Sequence, residues 1–132
     1  MTAPTAAWTP ILTADHVLGE NRIVALCNGS WQLHHIDMDS LVERDIAMVE
    51  IKEGFATFVT KDKDGRAYLT PIAKAESLIR RAACTKDTEF VLIGKDTGVK
   101  QRWSRTLPEG DLFQTIDAMP MRQYEMRTRS RN

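Results

Sequence analysis

Apolar positions in this chain fall into short continuous runs, period-two alternations and helical stripes. Arg22-Ile-Val-Ala-Leu-Cys27 is a compact run closed by Asn28-Gly29-Ser30, the signature of a buried strand. From Trp31 to Arg44 the spacing predicts a helix capped by Ser30, with Leu33 and Ile36 on one face and Met38, Leu41 and Val42 continuing it. Ile46, Met48, Val49 and Ile51 make a second strand. Strand, helix, strand in that order predicts a right-handed parallel crossover. Phe55–Thr60 and Arg66–Thr70 flank Lys61-Asp-Lys-Asp-Gly65, and Asp-Gly between two β-prone runs signals a hairpin. Pro71 is expected to open a helix ending near Cys84, with Ile72, Ala75, Leu78, Ile79 and Ala82 inward and Lys74, Glu76, Arg80 and Arg81 outward.

Glu89–Trp103 carries the clearest pattern. Phe90-Val-Leu-Ile93 is apolar throughout, as a strand covered on both faces is, and Val99–Trp103 alternates as a strand with one wet face does. Between them, Gly94 and Gly98 are expected to supply positive φ for a tight hairpin. A phosphate-binding glycine loop is the competing reading, but the spacing G-K-x-x-G-x-K fits neither the P-loop nor the dinucleotide fingerprint. A last helix is expected from Pro108, with Leu112, Phe113 and Ile116 as its stripe and Met119 beyond, stopped by Pro120. The pattern alone predicts an α/β domain, one sheet with helices on both faces. It divides the chain into an irregular lead-in over 1–20 that Trp8 anchors, a folded domain over 21–121, and a basic tail over 122–132. That tail holds Arg122, Arg127, Arg129 and Arg131 and is expected to be solvated.

Composition sharpens this modestly. A length of 132 residues fits one domain with a core of its own. Eighteen basic residues balance eighteen acidic ones, which argues against a specific nucleic-acid or membrane-surface partner. No apolar run approaches the ~18 residues needed to cross a bilayer. Without a basic start followed by an apolar stretch, the expected location is cytoplasmic, with Met1 taken as the natural start. In that setting two cysteines are expected as free thiols rather than as a structural disulfide.

The segments VLIGKDTGVK (91–100) and LFQTIDAMPMRQYEMR (112–127) resemble the end of the family designated domain of unknown function DUF4174. Members of that family close with an LIGKDGGVK hairpin and an IDAMPMR helix end; Thr97 stands here where the family carries glycine. Upstream, ENRIVAL and ERDIAMVEI resemble its first two strands, so the likeness spans residues 20 to 127. It implies a thioredoxin-like fold, a central mixed sheet flanked by helices with an inserted hairpin. It implies no activity, since the family has none assigned.

That implied fold directs attention to the end of the first strand, where thioredoxin-like proteins carry a reactive thiol at a helix N-terminus. No C-x-x-C stands there: Cys27 is alone, followed by Asn28, Gly29, Ser30 and Trp31. The proline expected before the third core strand is also missing, with Thr88 and Glu89 in its place. Cys84 lies far along the chain, yet the implied fold brings its loop close to Cys27. The preferred reading makes Cys27 a small buried apolar residue and Cys84 a helix-end filler. The alternative makes Cys27 a reactive thiol and Cys84 its resolving partner in a peroxidase, oxidoreductase or redox sensor.

His34 and His35, with Asp37 and Asp39 one helical turn on and His16 as a third donor, are weak candidates for a metal site. Asp62, Asp64 and Gly65 mimic part of a calcium loop, but the glutamate at its twelfth position is missing. No G-x-S-x-G elbow surrounds any serine, and no cofactor is expected. The expected function is a non-catalytic interaction module with a protein partner or a second copy of itself, the sheet having two edges to offer.

Overall fold

The structure, a computed structural model, describes residues 13–32, 36–61, 64–85 and 87–129. Six strands form one sheet: β1 (Arg22–Cys27), β2 (Ile46–Lys52), β3 (Phe55–Lys61), β4 (Ala67–Pro71), β5 (Glu89–Ile93) and β6 (Val99–Ser104), in the order β4-β3-β2-β1-β5-β6. Only β1 and β2 run parallel; the other neighbours are antiparallel. The helices are α1 (Ala14–Val17), α2 (Met38–Glu43), α3 (Glu76–Ala82), α4 (Glu109–Asp117) and α5 (Pro120–Arg129).

All six residues of β1 are buried because it has a strand on each side and helices on each face. Side-chain alternation sends Ile23, Ala25 and Cys27 into a core with Val17 of α1 and Leu78 and Ala82 of α3. Val24 enters the opposite core with Leu41 of α2 and Leu112 and Ile116 of α4. Cys27 pairs with Ile51 on one side and Glu89 on the other. The C-terminal hairpin therefore lies beside the first strand, and the sheet with helices on both faces is as the pattern predicts.

Several boundaries differ from the sequence expectation. The helix after β1 begins at Met38, not Trp31; residues 33–35 lie outside the described residues. Trp31 is held on β2 instead: its backbone N–H donates to Glu50 Oε2 at 2.9 Å and its indole N–H to the Val49 carbonyl at 3.0 Å. Asp37, not Ser30, caps α2, accepting from the Ser40 N–H at 3.3 Å. Pro71 ends β4 rather than opening a helix, because Ile72 donates to the Ala56 carbonyl and Ala73 bridges to Thr13, keeping 71–73 extended. Pro120 does not end the last helix. Asp117 does, and Pro120 becomes the first residue of α5, where its missing N–H costs nothing. The expected solvated tail is folded through Arg129, with Arg122 among the most buried residues. The lead-in is also partly ordered, since Ala14 and Val17 of α1 join the core; residues 1–12, including Trp8, lie outside the described residues.

In the β5–β6 turn neither glycine has positive φ. Thr97 does, at +68°, and it closes the turn by donating to the Gly94 carbonyl. A β-branched residue is poorly suited to that region, at a cost of about 1–2 kcal/mol. Thr97→Gly is therefore expected to stabilise the protein by about 1 kcal/mol, after the entropy glycine adds to the unfolded chain. A urea midpoint that falls or stays put would count against strain at this turn.

Candidate functional site

The two ends of β1 carry the two constellations with chemical potential. At its carboxyl end, Cys27 is bonded to Cys84, with Cα atoms 5.6 Å apart across 57 residues. This corrects the expectation of two free thiols. α3 ends at Ala82, and Ala83 turns the chain in the left-handed region at φ +47°, so that Cys84 meets the tip of β1. Antiparallel pairing of Cys27 with Glu89 draws the same loop inward. Cys27 is fully buried, whereas Cys84 is half-buried.

Asn28 reinforces the bond. It adopts φ +59°, a region asparagine tolerates better than most residues. Its side-chain amide donates to the Thr85 carbonyl and, at 3.5 Å, to that of Asp87. Adjacent residues thus hold the 84–87 loop, one covalently and one by hydrogen bonds. The only sequence signal for this role was an Asn-Gly pair after a strand.

The opposite end of β1 holds an ion network spread across the chain. Arg22 is 1% exposed and faces Glu125 of α5 end-on, Nη1 to Oε1 at 3.1 Å and Nη2 to Oε2 at 3.3 Å, while Nη1 also donates to the Arg44 carbonyl at 2.9 Å. Lys95, from the β5–β6 turn, joins Glu125 at 2.7 Å and Asp45 at 2.8 Å. Arg122, also 1% exposed, bridges Asp117 and Glu43, each at 3.1 Å. Arg44 grips Asp117 with two bonds and lies 4.3 Å over the Phe113 ring. Arg129 reaches Asp45 at 2.9 Å. Burial pushes the carboxyls of Asp45, Asp117 and Glu125 up, but hydrogen bonds from these cations outweigh it and hold all three below their ordinary range.

A cavity of about 310 Å³ adjoins this network, lined by Arg22, Lys95, Asp96 and Lys100 together with Met119 and Met121. A second, of about 210 Å³, lies at the carboxyl end of β1 between Trp31 and Phe90, whose rings meet edge-on at 5.2 Å.

The remaining predicted residues are not brought together into a site among the described residues. His34 and His35 lie outside the described residues, as does the side chain of His16. Asp39 is exposed on α2, and Asp37 is engaged as its cap. The calcium-loop mimic falls largely outside as well, since Asp62 and Lys63 are not described. Lys95 of the glycine turn is committed to two carboxylates rather than to a phosphate cradle.

These two constellations sit in a chain whose residues 30–125 match the family model described as "Domain of unknown function (DUF4174)", and the chain belongs to that family. Neither a curated protein nor a solved structure matches it. The hairpin and helix-end segments that gave the resemblance meet in space: Lys95 and Asp117 are both members of the network around Arg22 and Arg122. Among the described residues no helix is long and apolar enough to cross a membrane.

Proposed function

We propose that the protein is a thioredoxin-like binding module without thiol chemistry, in which Cys27–Cys84 is a structural crosslink. With β3–β4 taken as the inserted hairpin, the order β2-β1-β5-β6, parallel then antiparallel, supports the thioredoxin-like half of this reading. One observation carries the functional half. Among the described residues, 28–32, which directly follow Cys27, are not helical, and the next helix begins at Met38. Cys27 therefore has no helix N-terminus to favour its thiolate, and complete burial favours the neutral thiol. A reactive cysteine needs the opposite of both.

Equilibration with glutathione tests this. A structural crosslink has a reduction potential below about −300 mV, and a catalytic or regulatory pair lies in the range of about −270 to −120 mV. A value in the upper range would replace this reading with the second one, a thiol-dependent oxidoreductase or redox sensor. Partial exposure of Cys84 favours that alternative. An external thiolate would attack Cys84 Sγ, form a mixed disulfide there and expel the Cys27 thiolate, which takes up a proton. The roles would then be the reverse of a reactive Cys27 resolved by Cys84.

Location follows the same division. A lasting crosslink suits an oxidising compartment, whereas in the cytoplasm the pair would be kept reduced or cycled. As a module, the protein offers β4, an edge strand among the described residues, with Tyr68 61% and Leu69 52% exposed. Pairing of that edge with a second copy is the form of the homodimer reading. Sedimentation showing only a 15.0 kDa species at high concentration would remove it.

A further inference from the structure

Asn28 and Gly29, at the tip of β1, form a pair with chemistry of its own. The backbone nitrogen of a glycine that follows asparagine is the least hindered nucleophile a chain can present to a side-chain amide, because no Cβ shields it. Nothing in the fold asks for glycine here. Gly29 does not have positive φ, and a Cβ built on it would first meet the flexible side chain of Leu26, at 3.4 Å.

Both reacting groups are accessible. Asn28 is exposed and Gly29 half-buried. The Gly29 N–H has no acceptor among the described residues, so no hydrogen bond holds it away from the reaction. The Asn28 N–H donates to the Ile51 carbonyl at 2.9 Å, which fixes the residue while its side chain reaches the loop carrying Cys84. That reach consists of donations alone, from Nδ2 to the carbonyls of Thr85 and Asp87. A carboxylate in its place has no proton to give. It would set acceptor against acceptor at both positions.

We propose that Asn28 is a deamidation site whose conversion unlatches the loop that carries Cys84. The Gly29 amide gives up its proton to solvent, and its nitrogen attacks Asn28 Cγ. A C–N bond forms, the Cγ–Nδ2 bond breaks, and ammonia leaves with one proton taken back from solvent. Water then opens the resulting succinimide at either ring carbonyl, giving aspartate or isoaspartate at position 28. The reaction needs no oxidant or reductant; water is consumed and ammonia released. Either product lacks both donors, so of the two ties on the loop only the disulfide remains. The half-buried Cys84 sulfur then opens to attack by an external thiolate. The inference holds whether the bond is a lasting crosslink or one that cycles.

Incubation of the full-length protein at mildly alkaline pH, followed by peptide mass mapping, tests the first half. Asn28 should convert, while Asn21, which precedes the buried Arg22, is the internal reference and should stay intact. Gly29→Ala should slow the conversion severalfold, since its Cβ stands beside the attacking nitrogen and fits against Leu26. The second half is read on Asn28→Asp, which supplies one product directly. Aspartate also tolerates the left-handed region, so this variant retains the fold. Its disulfide should be reduced by dithiothreitol at least about fivefold faster than that of the wild type, the effect of losing one net hydrogen bond. High salt during the measurement screens the added charge from the attacking thiolate. Conversion of Asn28 no faster than that of Asn21, an unchanged rate in Gly29→Ala, or unchanged reduction in Asn28→Asp would each overturn the assignment.

Discussion

Replacing both cysteines by alanine is expected to lower the unfolding free energy by about 4 kcal/mol, the chain-entropy value for a loop of this length. The bond spans 57 residues, so its loss returns much freedom to the unfolded chain. The corresponding fall in melting temperature is roughly 15 °C for a domain of this size. Cys84→Ala alone should match the double variant, since either change breaks the bond. Dithiothreitol should reproduce most of the loss in the wild type and none in the variants. The urea m-value should rise on reduction, because an open chain exposes more surface when it unfolds. A midpoint indifferent to reductant would remove the crosslink as a source of stability.

The second large effect lies at the other end of β1. Glu125→Ala is expected to cost about 3–5 kcal/mol, the usual range when one partner of a buried pair is removed. It strands the guanidinium of Arg22, which is 1% exposed, and takes one of two carboxylates from Lys95. The double change Arg22→Met with Glu125→Leu should lose much less, since apolar residues of similar volume replace a buried pair at little net cost. Equal losses in the single and double variants would refute the claim that the pair is coupled.

The same network sets the acid limit of stability. Asp45, Asp117 and Glu125 are all held below their ordinary range in the folded state. A depressed carboxyl contributes fully above its unfolded value, and the contribution disappears as pH falls through the folded value. The loss should therefore begin near pH 4.5 and deepen below it. Denaturant midpoints measured between pH 7 and pH 3 will show this slope, and it should be shallower in Glu125→Gln. A wild-type midpoint flat over that interval would contradict the network's role.

The legible parts of this chain were those fixed by local pattern. β1 and β5 each announce themselves by an unbroken apolar run, and both are central. Their adjacency was not in the periodicity; it came with the resemblance of residues 91–100 and 112–127. Pro71 and Pro120 show where local reading fails, whereas Pro108 caps the helix expected to start there. A fixed φ near −65° suits a strand end, an N-cap and a first helical position alike. Pro71, Pro108 and Pro120 took those three places, and for Pro71 partners distant in sequence, Thr57 and Ala56 of β3, decided it. Arg122 reads as part of a basic tail because Glu43, which helps to bury it, lies 79 residues away in the chain. Trp31 resembles the start of a helix until its indole meets the carbonyl of Val49. The cysteines were placed near one another by the implied fold, but composition and expected location favoured free thiols over the bond.

The bond at Cys27 and Cys84 closes the backbone between them into a covalent ring containing β2, β3, β4, α2 and α3. A protease nick at the Asp64–Gly65 turn, between β3 and β4, cuts that ring only once. The product should migrate as one molecule without reductant and as two fragments with it. Exposed turns on that side of the molecule can thus be cut while both pieces stay joined through a pair of sulfur atoms.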